Sequence, residues 1–131
     1  MNVPNEAEKA ALIAELQQAD IKHTPENIVR IAKTSDGKIV FLETGNSGSG
    51  LQHILRNHVL QFADKGISRD QIPNAIIIAI TQGRVIGFQG KTTPTPRPIY
   101  EFTFDGETKY LAVQIGDNGY IVSANPTSNI P

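Results

Sequence analysis

Apolar and polar positions in the first third of the chain form two different patterns. In residues 5–18, acidic side chains at the start are followed by apolar residues at partly helical spacing, and this pattern predicts a helix. The runs 28–33 and 38–43 are instead short and rich in Ile and Val, and Asp36 and Gly37 stand between them as a turn-forming pair. This second pattern predicts an antiparallel hairpin.

Two further helical patterns occupy the middle of the chain. One covers about residues 51–64 and ends before Gly66, which suits a left-handed cap. The other covers residues 72–82, and Ser68 and Gln71 precede it at the spacing of a capping box. Its isoleucines favour a strand, whereas its length and its end signals favour a helix. We predict a helix there.

The remainder of the chain alternates with a period of two. This pattern predicts four strands, at residues 84–89, 98–104, 109–115 and 120–124. A loop rich in proline and threonine, residues 91–98, separates the first two strands. Helices followed by a strand meander predict an α+β fold, in which the N-terminal helices pack on one face of a small antiparallel sheet.

Length, charge and composition restrict the possible functions. The chain has 131 residues, which predicts a single domain spanning 1–131. It has no cysteine, and this excludes disulfides and thiolate metal sites. A net charge of −1 counts against tight, non-specific binding to nucleic acid, but leaves open a local basic patch or a partner that delivers the substrate. No apolar run is long enough to span a membrane, and the N-terminus has no signal-peptide pattern.

A histidine pair behind a glycine-serine segment is the strongest chemical signal. Residues 46–50 lead into the helix that carries His53 and His58, and free N–H groups at such a helix start attract phosphate. Imidazole titrates near neutral pH, so the pair indicates general acid–base chemistry on a phosphate ester. The spacing sets the rings about 140° apart around a helix. Without a nearby cysteine or carboxylate, this does not predict a metal site.

The same histidines also have a structural interpretation. His58 falls within the apolar stripe of its helix, where a histidine is often a hydrogen-bonded core residue. His53 lies in the first turn, where the helix dipole disfavours the imidazolium and suits a general base. Taken alone, these residues support a catalytic role and a structural role of the histidines equally. His23 has no comparable setting, and we predict that it lies at the surface.

Two other segments offer groups that bind phosphate. The loop before the second predicted strand carries Lys91, Thr92 and Arg97, and cations in a loop stabilise a phosphorane or a departing oxyanion. The alternative is a solvated loop stiffened by prolines. The C-terminal segment carries hydroxyls and an amide that are also able to hold a phosphate (Ser123, Asn125, Thr127). There the alternative is that an Asn-Pro pair simply ends the sheet.

Three ordered blocks of sequence resemble a known group of proteins. Residues 38–46, 50–58 and 112–128 resemble C-terminal toxin domains of bacterial polymorphic toxins, particularly those of contact-dependent growth inhibition effectors. The resemblance covers about residues 27–128. It implies the fold shared by barnase, EndoU, the tRNA-cleaving colicins and RelE, in which N-terminal helices pack on a small antiparallel sheet.

This resemblance also implies a function. Such a domain is expected to be a metal-independent endoribonuclease that acts on tRNA and is neutralised by a cognate immunity protein. It would belong to a larger secreted or cell-surface effector and act in the cytoplasm of the target bacterium. Some members of the group require elongation factor Tu as a protein cofactor, and the near-neutral charge here fits delivery of tRNA by such a partner. No other cofactor is implied.

The expected reaction is intramolecular transesterification. A base takes the proton of the ribose 2′-OH, which attacks the adjacent phosphate and expels the 5′-oxygen, leaving a 2′,3′-cyclic phosphate. His53 and His58 are the acid–base candidates, in an order that the sequence does not assign. Arg97, Lys91 and Thr127 are candidate stabilisers of the phosphorane, and further substrate contacts are expected from Thr92, Ser123 and Asn125. The alternatives are a non-enzymatic interaction module and a DNA-cleaving domain.

Overall fold

Three helices and six strands make up the part of the chain that the computed structural model describes, residues 6–90 and 96–128. The helices are α1 (Glu6–Gln18), α2 (Gly50–Asp64) and α3 (Ile72–Gln82). The strands are β1 (Ile28–Lys33), β2 (Ile39–Glu43), β3 (Arg84–Gln89), β4 (Arg97–Phe104), β5 (Glu107–Ile115) and β6 (Ile121–Pro126). Short 3₁₀ turns at Pro25–Asn27 and Arg69–Gln71 precede β1 and α3.

The strands form two antiparallel sheets. The β1–β2 hairpin turns through Gly37, which has a φ of +85°. β3, β4, β5 and β6 form a four-stranded sheet in chain order. A parallel bridge between Phe41 and Tyr120 joins the hairpin to the start of β6. The predicted α+β fold is therefore confirmed, with the hairpin as a separate small sheet.

The ambiguous segment before β3 is a helix, as predicted. Ile76, Ile77 and Ala79 are fully buried and Ile78 is 5% exposed, so apolar surroundings enclose α3 on all sides. A helix buried around its whole circumference has no polar face, which explains why its isoleucines also fit a strand. The predicted capping box also forms, because the backbone N–H of Ser68 donates to Gln71 Oε1 at 2.9 Å.

Several strand boundaries differ from the prediction, and β5, for example, begins at Glu107, two residues before its predicted start. β4 begins at Arg97, inside the predicted loop, and β6 continues through Pro126 instead of ending at Ala124. Pro126 lies opposite Leu111 at the last position of an edge strand, where its missing N–H costs no ladder hydrogen bond. Asn125 is consequently a member of the sheet, and the Asn125–Pro126 pair forms the end of β6.

The main hydrophobic core lies between α2, α3 and one face of the four-stranded sheet. α2 contributes Ile54 and Phe62, and the sheet contributes Leu111, Val113 and Ala124 among others. A second, smaller cluster joins α1 to the hairpin (Leu16, Ile28, Ile31 and Phe41). Across residues 6–90 and 96–128, no helix is both long enough and apolar enough to cross a membrane.

A β-bulge in β6 determines which of its side chains point away from this core. Gln114 of β5 lies opposite Ser123, whereas the next residue, Ile115, lies opposite Ile121, so β6 carries one extra residue. Ile121 and Ala124 therefore both face the core. Because neighbouring residues of a strand point to opposite faces, Ser123 points to the other face of the sheet.

Candidate active site

The face of the four-stranded sheet opposite the core carries a group of polar side chains. Ile99, Ala112 and Asn125 lie directly opposite one another on β4, β5 and β6 and mark the middle of this face. Arg97 and Ser123 lie two residues away on their strands and therefore share the face. We call the following side chains the polar face: Arg97, Tyr110, Gln114, Ser123, Asn125 and Thr127.

His53 lies at the β6 edge of the polar face, in the first turn of α2. Its Nε2 is 3.1 Å from the hydroxyl oxygen of Ser123, which is 1% exposed. Its Nδ1 is 3.1 Å from the carbonyl oxygen of Ser47 and 3.0 Å from the amide nitrogen of Asn57. A protonated Nδ1 donates to Ser47, and an unprotonated Nδ1 accepts from Asn57. Both neutral tautomers are thus satisfied, and Nε2 is able to accept or to release a proton.

The glycine-serine segment that precedes α2 is not the open anion cradle that the sequence suggested. The side-chain oxygen of Asn46 accepts hydrogen bonds from the N–H groups of Gly48 and Ser49, at 2.8 and 3.2 Å. The N–H of Gln52 donates to the carbonyl oxygen of Thr44 at 2.9 Å. An asparagine side chain commonly satisfies backbone donors two residues ahead in this way. These N–H groups are therefore already occupied.

Tight contacts fix the start of α2 against β6. The Ser49 and Tyr120 hydroxyl oxygens are 3.0 Å apart. Gly50 has a φ of +80°, and a Cβ on it would lie 2.9 Å from the Tyr120 hydroxyl oxygen. Glycine is required at such a position by both its backbone conformation and the lack of space. These contacts hold the first turn of α2, and with it His53, beside the polar face.

His58 lies close to His53 and is only partly buried. The two ring centroids are 5.9 Å apart with an interplanar angle of 80°. Although His58 lies between Ile54 and Phe62 on the helix stripe, it is not enclosed by the core, and its Nδ1 is 2.8 Å from Gln61 Oε1. Because an amide oxygen only accepts, the Nδ1 of neutral His58 carries the proton and its Nε2 carries the lone pair.

Arg97 is held across the sheet by an amide. Its Nη1 donates to the side-chain oxygen of Asn125 at 3.0 Å, and the Asn125 amide nitrogen donates to the Pro126 carbonyl oxygen at 3.2 Å. Asn125 is 9% exposed and so forms a fixed support. One of the five guanidinium N–H donors is used in this contact, and the others have no partner among residues 6–90 and 96–128. The structure thus brings together His53, His58, Ser123, Asn125 and Arg97.

The other predicted site residues do not join this group. Thr127 lies four residues beyond Ser123, roughly 13 Å along an extended strand, beside a cavity of about 340 Å³ that Lys65 and Lys109 also line. Its catalytic role stays a prediction. Lys91 and Thr92 lie outside the described residues.

The third histidine corrects one expectation. His23 is half-buried instead of lying at the surface, with its Nδ1 2.6 Å from the carbonyl oxygen of Ile21. Its Nε2 is buried without a hydrogen-bond partner among the described residues. The ring follows α1, where Ile21 packs onto the small cluster, and this packing removes it from solvent. It takes no part in the candidate active site.

Several site residues were missed from the sequence, although some had a signal. Asn57 lies four residues after His53 and Gln61 three after His58, spacings at which helical side chains meet. Gln114 and Tyr120 had no local signal, since their positions depend on sheet register. In residues 6–90 and 96–128, no group of three or more His, Cys, Asp or Glu side chains is placed to hold a metal ion.

Comparison with known proteins adds no relative. No protein-family model matches the chain, and no curated protein matches it significantly. The resemblance to toxin domains of contact-dependent growth inhibition effectors therefore stays a prediction from three sequence blocks.

Proposed function

We propose that this domain is an endoribonuclease that cleaves RNA by attack of a ribose 2′-OH on the adjacent phosphate. One observation carries the proposal. His53 Nε2 meets the Ser123 hydroxyl at 3.1 Å on the edge of a polar sheet face that also holds Arg97. A second imidazole, His58, lies 5.9 Å from the first between ring centroids. Transesterification needs one base, one acid and one cation, and these residues supply all three.

The hydrogen bonds favour one assignment of the two histidines. Neutral His58 keeps its lone pair on Nε2, because Nδ1 donates to Gln61, and it acts as the base for the 2′-OH proton. His53 in its charged form donates through Nδ1 to the Ser47 carbonyl oxygen and through Nε2 to the departing 5′-oxygen. The 2′-oxygen forms the new bond to phosphorus as the bond to the 5′-oxygen breaks. The products are a 2′,3′-cyclic phosphate and a 5′-OH.

The stabilising groups follow from the same face. Arg97, supported by Asn125, contacts the phosphorane oxygens, where a preorganised cation is worth more than in water. Ser123 keeps the His53 ring oriented in the free enzyme and gives way to the leaving group. Lys91, Thr92 and Thr127 remain candidates for contacts with neighbouring parts of the RNA. The reaction as proposed uses no metal ion.

The biological setting of the proposal comes from the sequence resemblance. The substrate is tRNA, and a cognate immunity protein blocks the activity in the producing cell. The domain is carried by a larger secreted or cell-surface effector and acts in the cytoplasm of the target bacterium. Elongation factor Tu is a candidate protein cofactor. A net charge of −1 supports delivery by a partner, since unaided tRNA binders usually carry a basic excess.

A non-enzymatic interaction module is the second candidate. β3 is an edge strand, and its Val85 and Phe88 side chains are each 48% exposed. Exposed apolar side chains on an open edge are typical of protein–protein contact. The same surface is equally compatible with an enzyme that binds an immunity protein, so RNA cleavage itself must decide between the two functions.

Inducible expression tests the proposed function. Total RNA from cells expressing the wild-type domain should show discrete tRNA fragments on a denaturing gel, whereas cells expressing His53→Ala should show intact tRNA. His23→Gln is the matched control, because it changes a histidine away from the polar face and should leave cleavage unchanged. Intact RNA in wild-type cells whose growth has stopped would contradict the proposal.

A further inference from the structure

A cleft beside the His53 loop is lined by two arginines. Its volume is about 260 Å³, and its lining residues are Ser47, Gln52, Leu55, Arg56 and Arg69. Gln52, Leu55 and Arg56 lie at helical spacing on one side of α2, and Arg69 reaches the cleft from the 3₁₀ turn before α3. We call this the arginine cleft.

The arginine cleft adjoins the candidate active site. Ser47 belongs to both, because its carbonyl oxygen is 3.1 Å from His53 Nδ1 and the residue also lines the cleft. Gln52 directly precedes His53, and Arg56 directly precedes Asn57, which contacts His53. Because one residue turns a helix by about 100°, the cleft lies about 100° around α2 from the side that carries His53. The arginine cleft and His53 therefore lie next to each other at the start of α2.

No ion pair among the described residues compensates the charge of the cleft. Three of the five arginines have side-chain partners, which are Asn74 for Arg30, Glu101 for Arg84 and Asn125 for Arg97. The other two, Arg56 and Arg69, are both in the cleft, and their side chains make neither an ion pair nor a hydrogen bond with the described residues.

No acidic side chain appears among the residues that line the cleft. Two like charges facing one concavity repel each other, and an anion between them removes that repulsion. The N–H groups of Gly48, Ser49 and Gln52 are already occupied, so the Arg56 and Arg69 side chains are the groups that would hold the anion. In a chain of net charge −1, this is a concentrated positive site.

We propose that the arginine cleft binds the backbone phosphate of a nucleotide next to the one that is cleaved. The planar guanidinium fork matches phosphate oxygens, and Leu55 offers an apolar wall for the sugar. The proposal deepens the proposed RNA-cleaving function and rests on it. The cleft supplies affinity and register, whereas the chemistry occurs at His53, His58 and Arg97.

Salt-dependent binding of an uncleavable RNA tests the cleft separately from catalysis. The probe is a fluorescent 2′-O-methyl oligoribonucleotide, which cannot undergo 2′-OH attack, and anisotropy is measured from low to high salt. Arg56→Gln and Arg69→Gln should each reduce the slope of log affinity against log salt by about 0.7, which is roughly 5-fold in affinity at 0.1 M salt. The double variant should lose about twice that slope.

Lys22→Gln is the matched control, since it removes one positive charge from an exposed side chain on the connection between α1 and β1. It should keep the wild-type slope. In cleavage assays the cleft variants should raise KM while kcat is unchanged, and Arg→Lys at either position should restore part of the affinity. Thermal melts should match the wild type, because both arginines are exposed.

The two proposals fail in different ways. Binding that depends on both arginines, in a protein that leaves all RNA intact, would support the cleft and contradict the nuclease. Cleavage of RNA with unchanged salt slopes in both cleft variants would overturn the cleft alone. Unchanged slopes combined with loss of binding to an acidic protein partner would assign the arginines to that partner instead. Failure of the wild-type protein to bind the probe would also overturn the cleft proposal.

Discussion

Replacing His53 by alanine separates the stability of the site from its chemistry. The substitution removes the contact between His53 Nε2 and the Ser123 hydroxyl. That hydroxyl is 1% exposed and has no other hydrogen-bond partner among the described residues. His53→Ala therefore leaves a buried polar group unsatisfied as well as removing an imidazole.

The structure sets the expected magnitudes. An unsatisfied buried hydroxyl costs about 1–3 kcal/mol. For a domain of 131 residues, an unfolding entropy of about 2.1 cal/mol/K per residue converts this cost into a Tm decrease of roughly 4–11 °C. Loss of a positioned acid should slow the cleavage step by about 10²–10⁴-fold. The barrier rises correspondingly by about 2.7–5.5 kcal/mol.

A double-mutant cycle distinguishes the two effects. Ser123→Ala alone should change Tm little, and His53→Ala/Ser123→Ala should recover most of the lost stability, because no buried hydroxyl then remains unsatisfied. Activity should stay low in the double variant. The measurements are thermal melts by circular dichroism and single-turnover cleavage. A folded His53→Ala protein with full activity would refute the acid–base role, and equal Tm values for all four proteins would refute the stabilising contact.

Three further predictions follow from the described residues. Arg97→Gln should slow single-turnover cleavage by about 10²–10³-fold, as expected for loss of a transition-state donor. Arg84→Gln, which removes the exposed ion pair with Glu101, should cleave normally. Equal rates for the two variants would remove Arg97 from the mechanism. Cleavage should persist in excess EDTA on an RNA that stays folded, and activity that returns only with added divalent metal would contradict this. Burial, and secondarily the charge of Asp36, raises the pKa of the Tyr100 phenol above 10.0. The neutral phenol therefore contributes to stability below about pH 10, and this contribution is lost as pH rises through the raised pKa. In urea unfolding from pH 8 to 11, Tyr100→Phe should lose less stability at alkaline pH than the wild type, and identical pH profiles would contradict the assignment.

The helices, the hairpin and the sheet were predictable because their signals are local. Hydrophobic periodicity, capping residues and turn dipeptides each depend on about ten neighbouring residues. The length and end signals of α3 correctly indicated a helix, although its isoleucines also fit a strand. His53, His58 and Ser123 were each named from the sequence as candidates, and the structure places His53 against Ser123. Their chemical roles stay predictions.

The remaining features depend on tertiary contacts that no local pattern encodes. The bulge that turns Ser123 away from the core depends on the register between β5 and β6. The occupied donors before α2 depend on the side-chain rotamer of Asn46. The arginine cleft joins Arg56 of α2 to Arg69 of a separate turn, and only the fold brings them together.

The most direct test of the central claim changes one atom of the substrate. A cleavage site is first mapped in tRNA with the purified wild-type domain, and the same tRNA is then synthesised with a single 2′-deoxyribose on the 5′ side of that site. The mechanism predicts cleavage of the all-ribose tRNA to a 2′,3′-cyclic phosphate, detected by mass spectrometry, and no cleavage of the deoxy-substituted tRNA at that position. Cleavage of the substituted tRNA at the same bond would contradict 2′-OH attack and, with it, the proposed function.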